Sequence, residues 1–153
     1  MNEKNIKILR KIIMIILFGF FFNLLWEVAH SLLYDWNSPP LINDIYVYCP
    51  RIIFFATLFD AVWIFTFILW NSLIRRKFDW LLYPQKRDFI VFVGIGIIQA
   101  IFIELFAVIF NQWEYNQFMP VIFGIGLTPL IQLALTSSLS LYLSSKIQWI
   151  TNT

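Results

Sequence analysis

The stretch IIMIILFGFFFNLLWEVAHSLLY, residues 12–34, decides how the chain is read. As a helix rising 1.5 Å per residue it would be about 35 Å long, enough to cross the ~30 Å hydrocarbon core of a bilayer. Near its end the apolar run carries Asn23, Glu27 and His30, the chain's single histidine. An ionisable group among acyl chains is costly, so such groups turn inward and mark functional positions. At 100° per residue, Asn23, Trp26, Glu27, His30 and Tyr34 fall on one stripe. The segment therefore predicts a spanning helix with one polar face directed at protein.

The rest of the chain agrees. Of 153 residues, 60% are apolar, 20% aromatic and 13% charged, with a mean hydropathy of +0.75. A soluble domain is nearer a quarter charged, so the composition belongs to the membrane class. A net charge of +2 gives no case for a nucleic-acid partner. The single cysteine, Cys49, cannot form an internal disulfide and reads as a structural thiol near a helix start. The basic N-terminus followed by residues 12–22 resembles a secretory signal, but no small-residue cleavage pattern follows, and the segment reads as a retained span.

Four stretches are long enough to span, at about 12–34, 52–74, 89–110 and 120–143, which makes residues 1–153 one integral membrane domain. The joints are DWNSPPLINDIYVYCPR (35–51), RRKFDWLLYPQKRD (75–88) and NQWEYNQFM (111–119). Lys4, Lys7, Arg10 and Lys11 precede the first span, five basic residues lie in 75–88, and Lys146 follows the last; only Arg51 lies on the other side. This bias predicts both termini and the 75–88 loop in the cytoplasm. Trp36, Trp80, Trp113 and Trp149 fall near span ends, where indoles favour the interface. Short joints favour antiparallel neighbours, so the expected fold is all-α, an antiparallel four-helix transmembrane bundle. The expected location is a cell membrane, multi-pass, of the bacterial inner-membrane kind.

The intramembrane polar residues gather at one depth. Counted by helix rise, Glu27 lies ~6 Å, Asp60 roughly 4–5 Å and Glu104 ~7 Å outward of the midpoints of their spans, with Thr128 at a similar level. In the third span Gly96, Ala100, Glu104 and Ala107 share a face whose small residues allow close helix approach. In the fourth, Gly124, Thr128 and Gln132 follow at i+4. Pro129 has no N–H to give the carbonyl of Ile125, which predicts a kinked or locally open helix at the level of the acids. Glu27 and His30 spell Glu-x-x-His, half of a di-metal bundle motif. With one histidine in the chain a metal is not expected, and the pair reads as a hydrogen-bonded link between helices or as a proton-carrying pair.

The motifs NLLWEVAHSLLY, Asp60, Glu104, WEYNQFMPV and GIGLTPLIQ resemble an uncharacterised family of small bacterial membrane proteins with four predicted spans. Its pattern reads W-E-V-x-Q-x-P-L-Y, C-x-x-G-D, E-W, W-x-Y-x-x-x-M-P and G-x-G-L-x-P-x-x-Q. Trp26, Glu27, Tyr34, Asp60, Glu104, Trp113, Tyr115, Met119, Pro120, Gly124, Gly126, Leu127, Pro129 and Gln132 fit it. His30 stands where the pattern has Gln, Leu32 where it has Pro, and Phe59 where it has Gly. Because Gln exchanges no proton near neutrality, the resemblance shifts weight from His30 to the acids. In style alone, an acid layer in an apolar bundle is also similar to carotenoid cyclases, whose P-x-E-[ED] pair is absent here.

These readings favour a membrane-embedded enzyme or binding protein for an apolar, lipid-soluble, isoprenoid-like molecule. Glu27 or Glu104 would donate a proton, Asp60 would be the paired base or cation stabiliser, and His30 completes the catalytic set. Asn23, Trp26, Tyr34, Trp63, Trp113, Tyr115, Thr128 and Gln132 would bind the ligand, with aromatic faces able to stabilise a cation. No cofactor is expected, and the expected partners are membrane lipid and the lipid-soluble molecule. The alternatives are a small transporter or channel subunit with a proton or cation relay, and an accessory structural subunit.

Overall fold

A computed structural model describes residues 2–37 and 45–147, without the side chains of 45–49. Pro39, Pro40 and Trp149, and the thiol of Cys49, lie outside the described residues and side chains. Four helices carry the chain: α1 (Glu3–His30), α2 (Ile45–Arg75), α3 (Lys86–Phe110) and α4 (Leu127–Lys146). A two-stranded antiparallel hairpin, β1 (Val121–Ile122) and β2 (Ile125–Gly126), precedes α4. The fold is an all-α four-helix bundle, and each helix is long and apolar enough to cross a membrane.

Local chemistry sets the helix ends. The side chain of Asn2 accepts a hydrogen bond from Lys4 N–H and caps α1. α1 stops before the expected residue 34. The Ser31 N–H bonds the Glu27 carbonyl, Ser31 Oγ bonds the Val28 carbonyl, and one 3-10 turn, Ser31–Leu33, releases the chain. Tyr34 is therefore not on the α1 stripe; it forms an isolated bridge with Tyr115. α2 starts seven residues earlier than its predicted span and carries Pro50 inside it. The apolar run before Pro50 continues as helix, although proline and turn formers suggested a loop there. α3 ends at Phe110 as expected, because Asn111 takes up a left-handed conformation (φ 48°) that asparagine tolerates.

The predicted fourth span, 120–143, needs the largest correction. Residues 121–126 are the hairpin, turned at Phe123 and Gly124, both with positive φ, as a two-residue hairpin turn requires. α4 begins only at Leu127, so Pro129 sits in its first turn, where the N–H has no intrahelical partner to lose. The expected kink in mid-helix is absent because Pro129 is not in mid-helix.

α1 packs along both α2 and α4, and α3 packs along α4, whereas α2 and α3 touch sparsely. Two glycines permit the closest approaches. A Cβ on Gly19 would lie 2.5 Å from Ile64 Cδ1, and one on Gly96 would lie 2.7 Å from the backbone of Ala134. At the end of the bundle holding the termini, Ile15, Ile64, Phe67, Ile68, Phe92 and Leu141 form a solid core, joined from the α2–α3 connection by Trp80 and Leu81. Trp80 is thus a core residue, its Nε1 donating to Ser72 Oγ (2.9 Å), and not the interfacial indole its position suggested. α2 and α3 meet here, through Phe67 against Phe92 and through Asp88, which accepts from Asn71 and pairs with Arg75. Toward the opposite end the two helices leave a space between them.

Candidate functional site

That space is a cavity of about 680 Å³. One wall is α2, with Ile52, Ile53, Ala56, Phe59, Asp60 and Trp63; the other is α3, with Gln99, Ala100, Phe102, Ile103, Glu104 and Phe106. Glu27, Gln132 and Leu133 close the back from α1 and α4, and Tyr34, Trp36 and Trp113 contribute from the connections. Phe59 and Phe102, on the two lips, are 63% and 64% exposed, so the opening faces sideways between α2 and α3.

Three acids from three helices line this one cavity. The side-chain amide of Gln132 donates to Glu27 Oε1 (2.6 Å) and to Asp60 Oδ2 (2.9 Å), with Asn23 Oδ1 at 3.3 Å. Asn23 is fully buried behind them. It donates to the Gly19 carbonyl (2.9 Å) and accepts from Thr136 Oγ1 (3.0 Å), so it supports the pair and does not line the cavity. Glu104 is held apart. Its Oε1 accepts from the Tyr115 hydroxyl (2.7 Å) and its Oε2 from the Gly126 N–H (3.0 Å). Trp113 Nε1 in turn donates to the Tyr115 oxygen (2.9 Å). Burial, with Tyr34 and Glu104 beside it, pushes the Tyr115 phenol well above its ordinary range, so it remains a donor to Glu104.

The roof over these acids is built from two connections. Asp35 N–H bonds the Glu114 carbonyl (2.9 Å) and Asn116 N–H bonds the Leu33 carbonyl (3.0 Å). This clamp stacks Tyr34 on Tyr115, with ring centroids 5.4 Å apart, and sets Tyr34 against Trp113 at 6.1 Å. A side chain at 126 is excluded, because a Cβ there would lie 2.9 Å from the Tyr115 ring. Gly126 thus lets the tyrosine reach Glu104.

Besides Asn23, four residues expected at the site lie elsewhere in the structure. His30 makes no hydrogen bond with Glu27: both its ring nitrogens are buried without a partner, and the ring packs edge-on against Tyr34 at 4.9 Å. Trp26, His30 and Thr128 face a second groove, of about 400 Å³, between α1 and α4, and not the acid-lined cavity. Trp26 points 100° away from Glu27 around α1, which is enough to turn it toward α4 and out of the acid-lined cavity. Thr128 is occupied with Met119 Sδ (3.2 Å). Tyr115 acts on the cavity through Glu104 and does not line it. Conversely, Trp36, Gln99 and Gln112 line the cavity and were not foreseen as site residues. Gln99 was visible in the sequence as an intramembrane polar group and Trp36 only as an indole near a span end; nothing local marked Gln112. Among the described residues no group of three His, Cys, Asp or Glu side chains is arranged to hold a metal.

No protein-family model, curated protein or solved structure significantly matches the chain.

Proposed function

We propose that the chain is a multi-pass membrane protein that takes an apolar, lipid-soluble, isoprenoid-like molecule into the cavity between α2 and α3. The observation that carries this reading is the cavity's form: largely apolar walls, a sideways mouth and three carboxyls among its lining. A molecule dissolved in acyl chains reaches such a mouth without crossing water. With the termini and the Lys- and Arg-rich α2–α3 connection on the cytoplasmic side, the mouth opens in the outer half of the bilayer. Glu27 and Asp60 then present carboxyl oxygens to the ligand, either as binding groups or as a proton donor with its base. Glu104, with one oxygen bonded by Tyr115 and the other by Gly126, positions the roof.

The same residues support grouping the chain with the four-span family it resembles. Glu104, Tyr115 and Gly126 come from three of its motifs and meet in one hydrogen-bonded unit. The relay reading has less behind it. Ser137, Ser140 and Ser144 are buried below the acids, but each hydroxyl donates to a carbonyl of its own helix. Such bonds make a packing seam rather than a chain of exchangeable protons.

The test is purification in native lipid followed by extraction and mass spectrometry, comparing wild type with Asp60→Asn. A specific molecule enriched with wild type and depleted with the variant is expected. Identical bulk-lipid profiles in both would contradict the reading.

A further inference from the structure

We propose that the ligand of this cavity carries a positively charged amine, seated on Glu27 and Asp60, with its apolar body lying between α2 and α3. The inference rests on the cavity being a lipid-soluble ligand's site and names the polar group that ligand bears. It begins from a shortage of donors. The Gln132 amide nitrogen has two protons and three acceptors within 3.3 Å. Among the described residues, Gln132 is the only hydrogen-bond donor to either carboxyl, and it reaches one oxygen of each. Among the described residues Glu27 Oε2 and Asp60 Oδ1 have no donor, and neither is sealed from the cavity, although the residues are only 8% and 9% exposed.

Among the described residues no cation answers them. Lys11 is spent on the carbonyls of Ser144 and Ile147 at the termini end, and Arg75 on Asp88. Arg51 is exposed and nine residues from Asp60, ~13 Å along the helix. His30 offers neither nitrogen to Glu27. An unpaired carboxylate in apolar surroundings is costly, and a cation bonded to it relieves most of that cost. An ammonium brings the missing charge and up to three N–H donors to the two free oxygens. Trp63 and Trp113 line the same cavity and supply ring faces for a cation. The acids that attract an amine repel phosphate, so the class is a lipophilic amine without a phosphate group.

Dodecylamine and 1-dodecanol separate charge from apolar body. Their binding is measured on the whole protein in bilayer nanodiscs by tryptophan fluorescence, with empty nanodiscs subtracted. The amine is expected to bind at least about tenfold more tightly than the alcohol. In Asp60→Asn, and separately in Glu27→Gln, that preference falls toward parity. Equal wild-type affinities for both probes would overturn the amine and leave the lipid-soluble site standing. Saturable binding of neither probe would overturn both. If the variants fail to assemble, the wild-type ratio decides alone.

Discussion

Tyr115 and Gln132 hold the carboxyls of Glu104, Glu27 and Asp60 by hydrogen bonding alone, whereas Asp88 at the other end of the bundle is held by Arg75. Tyr115 joins Glu104 to Trp113 through one oxygen. Tyr115→Phe therefore leaves Glu104 with the Gly126 N–H alone and strips Trp113 of its acceptor. The expected loss is about 1–3 kcal/mol, read as a lowered unfolding midpoint in detergent. An unchanged midpoint would show that the roof does not depend on this bond. At this scale the sequence was partly legible. Asn23 and Glu27 shared a face by periodicity, and they do meet α4. His30 did not follow the same logic: helical spacing puts it one turn from Glu27, but its ring leans on Tyr34, a residue delivered by the connection rather than by the helix. Spacing specifies direction from an axis; it does not specify which neighbour fills that direction.

Helices meet where side chains are smallest, and two glycines of α3 make the contrast testable. Gly96 lies against the backbone of Ala134, whereas a Cβ on Gly94 would meet nothing within 4 Å. Gly96→Ala forces α3 and α4 apart at a cost of about 1–3 kcal/mol. Gly94→Ala is expected to be neutral or stabilising by up to about 1 kcal/mol. Thermal unfolding of the two variants side by side checks the pairing of α3 with α4; equal effects would contradict it. Pro129→Ala tests the start of α4. In a first turn the substitution changes stability by less than about 1 kcal/mol, whereas removing proline from a helix interior would stabilise by several times that. The start of α4 was illegible because VIFGIG is as apolar as a span. Only the positive φ at Phe123 and Gly124 marks it as a hairpin, and that conformation leaves little trace in composition. The end of α3 was legible because Asn111 is a residue that ends helices.

For the whole molecule, hydropathy was enough to read four helices, since it depends on composition averaged over ~20 residues. The opening between α2 and α3 was not readable. It arises from the sparse contact of the two helices joined by the 75–88 connection, where a short joint predicted close neighbours. They are pinned at one end by Phe67, Phe92 and the Arg75–Asp88 pair, while α1 and α4 hold each other through the middle. The proposed lipid-soluble ligand occupies the space so created, with its polar end at Glu27 and Asp60. An electron cryo-microscopy structure of the protein in its native bilayer, bound to an antibody fragment for size, tests this most directly. Elongated density entering between Phe59 and Phe102 and ending at Glu27 and Asp60 is expected. Helices α2 and α3 closed on one another, with Glu27, Asp60 and Glu104 on separate surfaces, would contradict it.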